Sequence, residues 1–116
     1  MPFINVKTNV SISPQKEESL KAAFGKAITC IPGKSENWLM VGFEPDCRLW
    51  FKGGSEPAAL VDVSIFGSSS ADAYNKLTSS VSESLSAELS LEKDRIFVRY
   101  TETPHWGWNG SNFDPK

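Results

Sequence analysis

The chain has 116 residues, enough for one domain and too few for two, so residues 1–116 read as a single unit. With 40% hydrophobic and 22% charged residues it has the composition of an ordinary globular domain. A formal net charge of -2 leaves no basic footprint for nucleic acid, no apolar run reaches the length of a membrane span, and the start M-P-F-I-N-V-K-T-N is not a secretory signal. The expectation is synthesis in the cytoplasm, no nucleic-acid or membrane partner, and, if the protein is secreted, export without a signal peptide.

Pro2 directly follows Met1. A small second residue permits removal of the initiator methionine, and the mature chain then begins with a proline whose nitrogen is a secondary amine. A free α-amine titrates at roughly 7.7–8.0. An apolar pocket or a nearby cation lowers that value, leaving an unprotonated nitrogen able to serve as a general base. Alone, Met-Pro is a common start without chemical meaning, so this reading depends on the rest of the chain.

Residues 3 to 10 alternate, with Ile4, Val6 and Val10 on one face and Asn5, Lys7 and Asn9 on the other, which predicts a half-buried strand. Ser13 and Pro14 open a helix, Glu17 and Glu18 suit its positive end, and Leu20, Ala23, Phe24, Ala27, Ile28 and Ile31 form its apolar stripe. Pro32 and Gly33 stop it. A short apolar run follows from Trp38 to Phe43, then a turn at Pro45-Asp46 and a brief strand at Leu49, Trp50 and Phe51. Ala58 to Phe66 reads as a further strand. Ser68 to Ser70 open a second helix with a stripe of Tyr74, Leu77, Val81, Leu85 and Leu89, and Arg95 to Tyr100 reads as the last strand. Cys30 and Cys47 fit neither a redox C-x-x-C nor a zinc site and are expected to be buried free thiols.

Strand-helix-strand therefore occurs twice, with crossovers long enough for parallel pairing within each half. The expected fold is α+β: a duplicated β-α-β unit giving a four-stranded sheet with two helices on one face. The strand at 58–66 is apolar on both sides, because Ala59, Val61, Val63 and Ile65 alternate with Ala58, Leu60 and Phe66. A doubly apolar strand expects cover on both faces. The face without helices is thus expected to meet another subunit.

Over nearly its whole length the chain resembles the macrophage migration inhibitory factor and D-dopachrome tautomerase family of the tautomerase superfamily. The resemblance is carried by M-P-F-I at the start, T-N-V at 8 to 10, G-K at 33 and 34, F-K-G-G-S-E-P at 51 to 57, D-R-I-F-V at 94 to 98 and W-G-W-N-G-S-N-F at 106 to 113. It implies a homotrimer whose three sheets line a central channel, with an active site at each subunit interface. It implies keto-enol tautomerisation of small aromatic keto acids such as phenylpyruvate, or of dopachrome analogues, without any cofactor. The alternative that the resemblance implies is of another class, a cytokine-like signalling ligand with a receptor protein as partner and a vestigial or secondary pocket.

By the same resemblance Pro2 matches the catalytic proline and Lys34 the substrate-binding lysine, whose ammonium would hold a carboxylate and disfavour protonation of the proline. Phe66 falls where the family presents a backbone N–H to substrate. Phe97 stands where some members have tyrosine, keeping an aromatic contact without the hydroxyl. Arg99 is either a second carboxylate anchor or a charge on a strand edge. Trp106, Trp108 and Phe113 match the pocket wall. The family's C-x-x-C is replaced by Ala58-Ala59-Leu60-Val61, so its thiol oxidoreductase activity is not expected. His105, the single histidine, has no partner at metal-ligand spacing and is expected at the mouth of the pocket, with no metal site.

Overall fold

A computed structural model describes residues 1–113. In chain order the elements are β1 (Pro2–Thr8), α1 (Pro14–Ala27), β2 (Met40–Glu44), β3 (Ala59–Phe66), α2 (Ala71–Leu89), β4 (Ile96–Thr103), β5 (Gly107–Trp108) and β6 (Ser111–Asn112). The sheet order is β2-β1-β3-β4. Each helix is the crossover of a β-α-β unit, so β1 pairs β2 in parallel and β3 pairs β4 in parallel. The two units meet along an antiparallel β1–β3 ladder in which Ile4 faces Val63 and Val6 faces Val61. The duplicated unit and its two helices are as the sequence predicts; the two-stranded β5–β6 hairpin is an addition.

Capping chemistry fixes both helix starts. The Ser13 hydroxyl accepts the Lys16 N–H at 3.2 Å with Pro14 in the first turn, and the Ser70 hydroxyl accepts the Ala73 N–H at 3.1 Å. The helices lay Leu20, Phe24 and Ile28, and Leu77, Val81 and Leu85, over Ile4, Val6, Val61, Val63 and Ile65. Thr8 is a buried polar residue in this layer. Its hydroxyl donates to Ala58 O at 2.7 Å and accepts the Val10 N–H at 3.3 Å, so the group is satisfied.

Three expectations are revised. Leu49–Phe51 is not a strand: Phe51 and Gly54 close a tight turn by exchanging both backbone hydrogen bonds, and among the described residues the segment joins no ladder of the sheet. Trp38 belongs to a single 3-10 turn, Glu36–Trp38, and the strand after it runs from Met40 to Glu44. Cys30 and Cys47 are free thiols but only partly buried.

The helix-free face of the sheet is banded. Leu60 and Phe66 point to it from β3 with Asp62 and Ser64 between them, so its middle is polar. The register sets Asn5, Asp62 and Arg99 side by side there, and Arg99 is ion-paired with Asp62. Lys7, Leu60 and Phe97 make the next row toward one end; Met40, Phe3, Ser64 and Thr101 make the row toward the other.

Truncating the core should cost far more than removing a cap. Leu77→Ala is expected to lose about 2–5 kcal/mol of stability and Ser13→Ala about 1 kcal/mol, both read from denaturant midpoints. Equal losses would show that helix ends, not the helix–sheet layer, hold the fold.

Candidate functional site

The chain begins inside the sheet. Pro2 is buried as the first residue of β1, opposite Ile65, and this position suits proline because the strand loses no N–H donor there. Met1 lies just beyond the ladder, and its carbonyl accepts the Phe66 N–H at 3.1 Å. The α-amino end is thereby held at one end of the two central strands.

Lys34 is brought to the same place by the chain reversal after α1. Gly33 takes a left-handed φ of 82°, which glycine adopts without strain, and the Lys34 N–H donates to Ile31 O at 3.1 Å. The Lys34 ammonium then donates to Phe66 O at 3.2 Å. The Phe66 peptide therefore meets Met1 through its N–H and Lys34 through its carbonyl. The α-amine itself is lowered from 8.0 to about 6, first by burial, then by the Lys34 charge and its hydrogen bond. All three disfavour a positive charge on the nitrogen, so the amine is largely unprotonated at neutral pH.

A cavity of about 710 Å³ opens beside this amine. Met1 and Pro2 form one wall, the open-face row Met40, Phe3, Ser64 and Thr101 the floor, and Trp38, Trp106 and Trp108 the aromatic sides. Trp108 is fixed from two directions: it meets Trp38 edge-on at 5.0 Å and stacks on Phe113 at 6.3 Å. Phe113 packs in turn against Phe66 at 5.5 Å, and its N–H donates to Trp106 O at 2.8 Å. These contacts tie the β5–β6 hairpin to the end of β3. Aromatic faces at such spacings suit a flat ring in offset or edge-on packing.

Of the residues singled out in the sequence, Pro2, Lys34, Phe66, Trp106, Trp108 and Phe113 converge on this end of the sheet. Phe97 and Arg99 do not. Both are exposed on the open face of β4, Phe97 against Phe51 at 4.7 Å and Arg99 paired with Asp62. His105 is exposed beside the cavity-lining Trp106. Among the described residues, no three His, Cys, Asp or Glu side chains cluster as a metal site would require. Sequence reasoning missed Trp38 and Met40 as lining residues. The signal for Trp38 was present in the short interval that separates it from Lys34, but an apolar run there reads equally well as the start of a strand.

The family model described as macrophage migration inhibitory factor matches residues 1–114. The macrophage migration inhibitory factor of Meriones unguiculatus is 30% identical over 97% of this chain and 99% of its own. D-dopachrome decarboxylase of Mus musculus is 31% identical over 91% of this chain and 90% of its own. Among solved structures, Leishmania major MIF2 superimposes with a TM-score of 0.92 at 34% identity, covering 97% of both chains. The macrophage migration inhibitory factor homologue of Prochlorococcus marinus gives 0.87 at 26% identity, over 96% of this chain and 98% of that one. With the family model matching nearly the whole chain and the fold superimposing over almost all of it, the chain belongs to the macrophage migration inhibitory factor family.

Proposed function

We propose that the protein is a cofactor-independent keto-enol tautomerase of phenylpyruvate- or dopachrome-like substrates, with Pro2 as general base once Met1 is removed. The observation that carries this reading is an α-amine held beside Lys34 at a cavity wall and lowered to about 6. Trimming moves the free nitrogen onto Pro2, which is itself buried, so burial and the Lys34 charge act on it in the same direction. Removal of Met1 also frees the Phe66 N–H from its present acceptor.

The reaction then follows from the groups present. Lys34 holds the substrate carboxylate, and the tryptophans hold the ring. The Pro2 nitrogen takes a proton from the carbon next to the carbonyl. The electron pair of that C–H bond becomes the new C=C bond, and charge collects on the oxygen. A fixed donor is most useful where charge develops, which is the role available to the Phe66 N–H. The oxygen takes up a proton to give the enol, and the prolinium returns its own to water.

We assign the working assembly as a homotrimer. The banded open face, and a Leu49–Phe51 segment of strand character that joins no ladder of the sheet among the described residues, support association with further copies. Phe97 and Arg99, remote from the cavity of their own chain, then serve a neighbouring one.

Two outcomes test this reading. Lys34→Ala should weaken turnover of phenylpyruvate more than that of its methyl ester, because a charge-assisted contact worth roughly 1.5–3 kcal/mol is lost only with the acid. Equal losses would show that Lys34 does not read the carboxylate. In the trimmed protein, the amine is protonated and inactive at low pH and free above its lowered pKa. The rate should therefore rise with pH through an apparent value below the ordinary α-amine range and level off near neutrality, because burial and the Lys34 charge lower the amine in the same direction. A profile still rising at the ordinary α-amine value would remove the amine from this role.

A further inference from the structure

The Phe66 peptide, which meets both Met1 and Lys34, sits at the start of a short joint. Gly67 follows with a left-handed φ of 87°, the space where a side chain would project is open, and Ser68 to Ser70 lead into α2. A joint with a glycine at its root swings unless something fixes its far side. Two side chains from different elements do so. The Tyr74 hydroxyl, one turn into α2, accepts the Ser69 N–H at 3.1 Å and donates to a Glu102 carboxylate oxygen at 2.5 Å. The same oxygen lies 3.4 Å from the Ser69 nitrogen. Glu102 stands on β4 next to Thr103, whose carbonyl accepts the Gly67 N–H at 2.9 Å. The joint is thus pinned at Gly67 by β4 backbone and at Ser69 by the tyrosine–carboxylate pair.

Tyr74 is held from behind. The Tyr100 ring lies against it at 4.5 Å, and the Tyr100 hydroxyl donates to Tyr74 O at 2.9 Å. That uses the one phenolic proton, so Thr78, 2.6 Å away, is the donor in its contact with Tyr100. Burial and the neighbouring carboxylate push the Tyr74 phenol up to about 12, so it remains a donor throughout the working pH range. A donor paired with a carboxylate makes the stronger, shorter kind of hydrogen bond.

We infer that Tyr74 and Glu102 are a positioning pair that fixes the Gly67–Ser70 joint, and through the Phe66 carbonyl sets the Lys34 ammonium where it meets a substrate carboxylate. The inference deepens the tautomerase reading and rests on it for the identity of the substrate. Neither residue touches the cavity, so the expected signature is in how well the acid is bound relative to its ester.

The test uses the whole, trimmed protein as wild type, Tyr74→Phe and Glu102→Gln, with phenylpyruvate and its methyl ester. Tyr74→Phe should raise KM for the acid about 3- to 10-fold, less than the loss of a direct charge-assisted contact to the substrate, because the pair acts on Lys34 only through the joint. Its KM for the ester should be little changed. Glu102→Gln should do less, because the amide oxygen still accepts from Tyr74. Amide exchange, read by NMR without substrate, should quicken at Gly67 and Ser69 in Tyr74→Phe and stay the same at Leu77, Val81 and Leu85. Unchanged exchange at Gly67 and Ser69 would overturn the inference. So would a KM rise shared equally by acid and ester, which marks general loosening. A wild type that turns over neither substrate defeats the tautomerase reading alone, and the exchange rates still decide the pair.

Discussion

The rest of the molecule depends on the first residues of the chain being locked into the middle of a sheet. Termini usually fray, because few contacts hold them. Here Pro2 is the first rung of β1, a central strand flanked by β2 and β3. The antiparallel β1–β3 ladder fixes where the chain starts relative to where β3 ends, which is why Met1 and Phe66 share a hydrogen bond. An ordinary α-amine would be solvated and mobile. This one is held at a cavity wall, and its chemistry is set by what surrounds it.

What surrounds it is chiefly one cation and one peptide. Lys34 arrives through the Gly33 reversal and is tied to the Phe66 carbonyl. Burial, and then a lysine so close by, both disfavour the protonated form of the α-amine, and together they lower its pKa to about 6. In the proposed reaction the same charge holds the substrate carboxylate, so one residue both frees the base and orients the acid. The aromatic side of the cavity is built separately, by stacking the hairpin that carries Trp108 onto Phe113 and Trp38. Binding energy from a ring held there is available to orient the reacting carbon.

Much of the fold was legible because its signals are local. Ser13-Pro14 and Ser70 cap the helices they were expected to open, and the alternation of Ile4 and Val6, and of Val61, Val63 and Ile65, names the core face of β1 and β3. Two crossovers of helical length were enough to imply parallel pairing inside each half. Leu49–Phe51 misled for a physical reason: its apolar residues have strand character, but Phe51 closes a tight turn on Gly54 and lays its ring on Phe97 instead of joining a ladder. The open face was read as apolar because Leu60 and Phe66 dominate the pattern, whereas Asp62 and Ser64 lie between them on the same side and make it banded. Of the site, the residues near the ends of elements were legible from the family resemblance. Trp38 was not, since its place on the cavity depends on a turn that hydrophobic patterning does not resolve. Tyr74 and Glu102 were even less visible, because their partnership joins a helix to a strand 28 residues away.

The central claim is that a free proline amine does the chemistry. It is tested most directly by assaying two preparations of the same chain side by side, one with Met1 removed and one with Met1 retained, each confirmed by intact mass. With Met1 present the Pro2 nitrogen is an amide, the Phe66 N–H is occupied by the Met1 carbonyl, and the methionine lines the cavity. The account predicts phenylpyruvate tautomerisation by the trimmed protein and none above background by the other. Equal rates from the two preparations would contradict it.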